Sequence, residues 1–234
     1  MTQRCTILTG IGVWTLLFAA PAVSRANAVV FSNFGAGFSY DTGDANFIGN
    51  AFDGSGSNYA QGATFTPTAT SIFGSLDIAL SCFFGCPNNF TVSLASNVSD
   101  SPAAVIESFT VSGASLGPFG SNNAPTDLFS VLDPVLTAGT QYWITVRSPL
   151  TDSVTWNWNS TGDPSDEAIS TDGGSSWFSP SGLPPGAFQV NGTVPEPNAL
   201  ALFATALSLL GLAKSGALRR NRRTGGGAGL SEKR

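Results

Sequence analysis

The middle of the chain consists of short apolar runs that alternate with polar residues, and none of it has the 3.6-residue period of an amphipathic helix. Clusters of Gly, Pro, Asn and Asp separate the runs, which are rich in β-branched and aromatic residues. They read GATFTP, SIFGSLDIALS, FTVSLAS, AVIESFTVSG, LFSVLD, QYWITVRS, SVTWNWNS and AFQVNGTV. Short strands at this spacing are typical of antiparallel sandwiches and barrels. We therefore predict an all-β domain over residues 29–193, an antiparallel β-sandwich of the jelly-roll or Ig-like kind.

Two of these runs predict side-chain directions. In FTVSLAS, Phe90, Val92 and Leu94 share one face, which should pack inward. In LTAGTQYWITV, a Gly-containing turn leads into a strand whose early Tyr142 can hydrogen-bond back over the corner, as in sandwich domains with a tyrosine corner. Trp143 points to the opposite face, and we expect both aromatic rings to pack in the core.

Charge is distributed unevenly along the chain. Between residues 29 and 194 there is one basic residue, Arg147, against thirteen acidic ones, a net charge of −12, whereas the whole chain carries −5. So acidic a body repels phosphate backbones and has no cluster of cations to neutralise them. Nucleic acid is therefore excluded as a partner.

Residues 1–28 have the pattern of a secretory signal peptide. A basic residue precedes a mostly apolar run, and small residues stand at Ala26 and Ala28, as in an A-x-A cleavage site. We expect cleavage after Ala28, so that the mature chain starts at Val29. The alternative, a buried N-terminal helix, is disfavoured by the polar, turn-rich sequence that follows.

Two cysteines, Cys82 and Cys86, remain after export. Gly85 between them and Pro87 after them allow a tight turn, and an exported chain meets an oxidising compartment. We therefore predict a structural disulfide, with a pair of thiols, buried or redox-active, as the alternative. Zinc is disfavoured because the chain has no histidine and no second cysteine pair.

The C-terminal region combines a rigid tripeptide, an apolar segment and an arginine cluster. Pro195, Glu196 and Pro197 precede residues 198–218, which carry one charge and are long enough to cross a bilayer as a helix. The prolines mark its start, since they cannot lie in a helix interior. By the positive-inside rule the arginines that follow stay in the cytoplasm. They are Arg219, Arg220, Arg222 and Arg223.

This order of features, over residues 194–223, resembles the PEP-CTERM sorting signal of Gram-negative bacteria. The resemblance implies that an exosortase, an integral membrane enzyme with a cysteine nucleophile, processes the chain near the tripeptide. It also implies transient anchoring in the inner membrane and a final place at the cell surface or in a polysaccharide-rich matrix such as a biofilm. A flexible tail, residues 224–234, follows the arginines here. The alternative is an ordinary single-pass membrane anchor.

The body resembles a second family, the choice-of-anchor R domain, in the series FTVSLASNVSDSPAAVIESFTVSG, LTAGTQYWITV, VTWNWNSTG and STDGGSSW. This resemblance spans roughly residues 38–192. It implies a β-rich extracellular domain in front of interchangeable surface anchors, with no catalytic residues to carry over.

The amino-acid composition offers few candidate catalytic residues. Without histidine there is no Ser-His-Asp or Cys-His arrangement, and we expect no catalytic residues. A paired-carboxylate glycoside hydrolase is the least favoured alternative, because any β domain with thirteen acids offers some pair.

Calcium is the one candidate cofactor. Residues 161–174 hold four carboxylates in a Gly-containing segment, and hard oxygen ligands suit calcium, although the spacing is not that of an EF-hand. Solvated acidic turns are the alternative interpretation. The four residues are Asp163, Asp166, Glu167 and Asp172.

Trp156 and Trp158 are the candidate carbohydrate-binding residues. Two positions apart on a strand, they share a face with Val154, and two exposed indoles in line can stack on sugar rings. Burial in the core is the alternative. We therefore expect an exported surface or matrix protein with a structural or adhesive role and extracellular polysaccharide as a candidate partner. A carbohydrate-binding module is the competing function.

Overall fold

The computed structural model describes residues 25–50, 55–180 and 182–195, which form one compact unit, Arg25–Pro195. The predicted signal-peptide core, the membrane segment, the arginine cluster and the tail lie outside the described residues. Every named strand pair is antiparallel, and the helical part of the described chain is a single 3₁₀ turn, Gly113–Ser115. The strands are β1 Arg25–Ser32, β2 Ala45–Asn50, β3 Asn58–Phe65, β4 Ser71–Ile78, β5 Leu80–Cys82, β6 Asn89–Val98, β7 Ser101–Ser112, β8 Thr126–Phe129, β9 Val135–Leu136, β10 Tyr142–Arg147, β11 Ser153–Asn157, β12 Glu167–Ser170 and β13 Phe188–Pro195.

The strands form two sheets. The smaller one has the order β1-β13-β4-β8, with β9 paired to the first two residues of β4. The larger one has the order β5-β11-β2-β3-β10-β6-β7, with β12 paired to β3. The antiparallel sheets curl into a half-barrel, and the all-β prediction is confirmed.

One apolar core is shared by both sheets because each strand turns alternate side chains inward. On β6, Phe90, Val92 and Leu94 are at most 1% exposed, so the predicted inward face is confirmed. Burying a large apolar side chain fully contributes about 1.5–3 kcal/mol. From the smaller sheet the core includes Phe73, Leu76 and Phe188, and from the larger one Phe65, Leu94 and Trp156.

The outer face of the larger sheet is partly covered. Trp143 is fully buried there in a second cluster with Ala95 and Ala168, and Trp177 packs against it. The Trp143 indole N–H donates to Asn97 Oδ1 at 2.9 Å. Trp143 is therefore buried as predicted, although in a cluster of its own on the far side of the sheet.

The predicted corner at Tyr142 is present. Its side chain lies in the main core, and its hydroxyl oxygen accepts a hydrogen bond from the backbone N–H of Thr137 at 3.0 Å. The contact ties the start of β10 to the segment that follows β9.

Four strands were not among the predicted runs: β1, β2, β9 and β12. The sequences of β2 and β12, ANFIGN and EAIS, lie in acidic, Gly-rich surroundings that resemble loops. Tertiary pairing to β11 and β3 makes them strands. Within the described ranges no helix is long and apolar enough to cross a membrane.

Candidate functional site

The two predicted processing points lie on neighbouring strands. Ala26, Ala28 and Val29 belong to β1, and Pro195 is the last residue of β13. The register pairs Ala26 with Val194, Ala28 with Gly192 and Val29 with Asn191. The residues around the expected signal cleavage are therefore partners of the residues that lead into the tripeptide.

β13 depends on β1 at its C-terminal end. On the other side of β13 the ladder with β4 stops at the pair Thr193 and Ile72, so Val194 and Pro195 pair only with β1. Cleavage after Ala28 would remove the first half of β1 and leave this end of β13 without a ladder partner. Glu196, Pro197 and the four arginines of the predicted signal lie outside the described residues.

The disulfide prediction is confirmed. Cys82 and Cys86 are bonded, with their Cα atoms 5.9 Å apart, and the thiol-pair alternative is wrong. Gly85 has a φ of +59°, a conformation that favours glycine in so tight a loop. Phe83 in this loop contacts the rings of Phe47 and Phe119, with ring centroids 5.0 and 5.4 Å away.

Trp156 is a core residue. It is 1% exposed, its ring packs edge-on against Phe188 at 5.8 Å, and its indole N–H donates to the carbonyl of Ala187 at 3.0 Å. A Cβ at Gly186 would lie 2.3 Å from three atoms of the indole, so glycine lets the ring lie against the backbone. An indole without an exposed face cannot stack on a sugar, and the stacking prediction for Trp156 is corrected.

Trp158 is half-buried and tied into an interior chain of polar groups. Its indole N–H donates to Asn46 Oδ1 at 2.7 Å. The Asn46 amide nitrogen donates in turn to Glu167 Oε1 and to the carbonyl of Pro184, the latter at 3.2 Å. The two tryptophans therefore form no exposed pair of aromatic platforms.

Glu167, which accepts a hydrogen bond from Asn46, is a buried carboxyl group with a raised pKa. It is 4% exposed, and its Oε2 has no hydrogen-bond partner. Burial raises the pKa of Glu167 to about 8, and the hydrogen bond from Asn46 only partly opposes this. The side chain is therefore mostly protonated and uncharged at neutral pH, and sequence reasoning missed this because it placed Glu167 in a solvated loop.

The other three predicted calcium ligands each have separate partners. Asp163 accepts from Asn33 and Ser165, and Asp166 accepts from Gln141 at 3.3 Å. Asp172 accepts from Ser170, Ser175 and Ser176, and these bonds, that of the Ser176 hydroxyl first, hold the pKa of Asp172 well below its usual range. The structure does not bring the four carboxylates together, and no group of three or more His, Cys, Asp or Glu in its described part is placed to hold a metal.

A carboxyl pair that the sequence did not single out lies on the outer face of the smaller sheet. Asp77 on β4 stands directly opposite Asp127 on β8. Burial raises the pKa of Asp77, the adjacent Asp127 raises it further, and hydrogen bonds from Asn191 and Gln189 oppose both effects. Only the strand register brings these two acids together, since they are distant in the sequence.

A groove of about 490 Å³ runs across the same face. It crosses all four strands of the path β1-β13-β4-β8. Its lining residues are Asn27, Ala28, Val29, Gly74, Ser75, Phe129, Asn191, Gly192 and Thr193.

No protein-family model matches this chain, and no curated protein is significantly similar to it in sequence. The terminal segments and the surfaces of the β domain are therefore the features of the chain that bear on its function.

Proposed function

We propose that this chain is an exported bacterial surface or extracellular-matrix protein, sorted and processed by an exosortase at Pro195, Glu196 and Pro197. The observation that carries the proposal is the position of the domain boundary. The last strand of the β domain ends at Pro195, the first residue of the tripeptide, and the first strand begins at Arg25, at the end of the signal-like segment. Apart from residues 25–28, which belong to both β1 and the signal-like segment, the β domain thus fills the interval between the two segments that resemble export and sorting signals.

In this proposal the domain is a β-sandwich of the jelly-roll or Ig-like kind with a structural or adhesive role. The disulfide suits an oxidising extracellular compartment. Residues 198–218 anchor the chain in the inner membrane before processing, and the arginines keep its end in the cytoplasm. Extracellular polysaccharide is the proposed surrounding and partner.

The carboxylate-hydrolase alternative gains no support from the acids described above. Asp77 and Asp127 are in hydrogen-bond contact. Glycoside hydrolases hold their two carboxyl groups about 5 Å or more apart, so that a sugar or a water fits between them. Absence of catalytic activity remains a prediction.

The experiment compares native cells with cells that lack the exosortase. In native cells we expect a processed chain in the medium or at the surface, and in the mutant an unprocessed chain in the inner membrane. A Glu196→Ala, Pro197→Ala double variant should behave in native cells as the wild type does in the mutant. The control is Glu232→Ala, which changes the same residue type beyond the arginine cluster. Identical processing in both strains would refute the proposal.

A further inference from the structure

The outer face of the smaller sheet carries polar side chains in register across three strands. Antiparallel pairing places residues of neighbouring strands directly opposite one another. One row crosses from Gln189 on β13 to Asp77 on β4 and Asp127 on β8. The second row crosses from Asn191 to Ser75 and Phe129.

Hydrogen bonds hold these side chains in place. The Asn191 amide nitrogen donates to Asp77 Oδ2 at 2.8 Å and to Ser75 Oγ at 3.2 Å. The Gln189 amide nitrogen donates to Asn191 Oδ1 at 2.9 Å and to Asp77 Oδ2 at 3.3 Å. The face therefore presents a fixed set of amide, hydroxyl and carboxyl groups, so little side-chain entropy would be lost when a ligand binds.

Glycines form part of the groove beside these rows. The register shifts between Asn191 and Gly192, and Gly74 stands opposite the shift on β4. A Cβ at Gly192 would lie 2.5 Å from the carbonyl oxygen of Ile72 and 3.0 Å from Val30 Cγ2. Glycine at position 192 therefore lets β13 lie close to β4 and to Val30 at the register shift that borders the groove.

Phe129 stands at the end of the second row and is 72% exposed. A phenyl ring exposed to this extent contributes little to folding. Asp77 and Asp127 also oppose folding when both are ionised, because like charges directly opposite on a sheet are destabilising. Two features that the fold does not need thus lie in adjacent rows of one face: Phe129 lines the groove, and the acid pair stands beside it.

This combination matches the surface of a sugar. Hydroxyl groups both donate and accept, as amide and carboxyl groups require, and the C–H face of a pyranose ring is apolar and packs on an aromatic ring. Between residues 25 and 195 the chain has two basic residues, Arg25 and Arg147, against thirteen acidic ones. Anionic polymers are therefore repelled, and a neutral one is favoured.

We propose that this groove and the row beside it bind a segment of a neutral polysaccharide, with Phe129 stacked on a sugar ring and Asn191 and Asp127 bonded to its hydroxyls. The proposal rests on the extracellular setting proposed above and assigns its polysaccharide contact to the smaller sheet instead of Trp156 and Trp158. Cleavage after Ala28 would remove Asn27 and Ala28 from the β1 side of the groove, whereas the six residues of the two rows would stay in the chain.

The test is affinity electrophoresis of the full-length protein, purified in mild detergent, through gels that contain a soluble β-glucan, a xylan, a galactomannan or a dextran. We expect at least one of these polymers to retard the protein, and alginate, an anionic polymer, to retard it less. Phe129→Ala should weaken the retardation by roughly tenfold or more, because the stacked ring is lost. Phe178→Ala is the control, since Phe178 is 52% exposed beside the larger sheet and should bind as the wild type does.

Absence of retardation by all four neutral polymers would overturn the proposal, and so would equal retardation of Phe129→Ala and the wild type. Because Phe129 is largely exposed, Phe129→Ala should fold as the wild type does, and circular dichroism of both variants checks this. The sorting proposal is tested separately, because it concerns the ends of the chain and not the groove. A protein that binds a neutral polysaccharide but keeps its arginine cluster would contradict the sorting proposal alone.

Discussion

Replacing Glu167 by Gln should change how the stability of the protein depends on pH. The glutamine keeps the shape of the side chain and its acceptor oxygen for Asn46 but cannot ionise. In the wild type the pKa of Glu167 is raised from 4.5 in the unfolded chain to about 8 in the folded one. The folded state therefore holds this proton more tightly, and ionisation at higher pH favours unfolding.

The expected magnitude follows from this pKa difference. The Glu167 contribution to stability is fully present below pH 4.5 and is lost as the pH rises to about 8. One proton corresponds to about 1.4 kcal/mol per pH unit, so the wild type should lose up to about 4 kcal/mol between pH 5 and pH 8 through this group. Glu167→Gln should not lose it, and it should exceed the wild type in stability at pH 8 while matching it closely at pH 5.

The assay is urea unfolding followed by tryptophan fluorescence at pH 5, 6, 7 and 8. Buried Trp143 and Trp156 provide the signal. Glu232→Gln, in the C-terminal tail, is the control and should reproduce the wild-type pH dependence. Parallel stability curves for the wild type and Glu167→Gln over this range would show that the group titrates normally in the fold, and the burial argument would be wrong.

Three further changes test the packing. Gly186→Ala should cost about 3 kcal/mol or more in urea unfolding, because the added methyl group would overlap the Trp156 indole, and wild-type stability would show that the ring can shift. Tyr142→Phe should cost about 1 kcal/mol in the same assay, since it leaves a backbone N–H unpaired, and no loss would show that water replaces the hydroxyl. Replacing Cys82 and Cys86 together by Ala should cost about 2 kcal/mol, and reductant should then destabilise only the wild type; equal sensitivity of both would contradict a structural role for the bond.

The fold class was accessible from the sequence because local pattern and tertiary structure agree along most of the body. The eight predicted runs all contain strand residues of the structure. Tyr142 and the Cys82–Cys86 pair were also predictable, since each depends on neighbours close in the chain.

Features that depend on contacts between residues far apart in the chain could not be predicted from the sequence. Glu167 lies in a short strand whose neighbour, β3, is about a hundred residues earlier, and the sequence around it resembles a loop. The choice between a buried and an exposed Trp156 required knowledge of which face of β11 is covered. The alignment of Asp77 with Asp127 and of Asn191 with Phe129 arises from strand register alone.

We propose that the β domain is released by processing at both ends of the chain. The measurement that tests it most directly is the intact mass and the terminal sequence of the protein from the membrane and medium fractions of its native cells. We predict an N-terminus at Val29 and a C-terminus within or next to residues 195–197. A mature chain that retains Arg223 and the tail would contradict the sorting proposal and identify the protein as a plain membrane-anchored ectodomain.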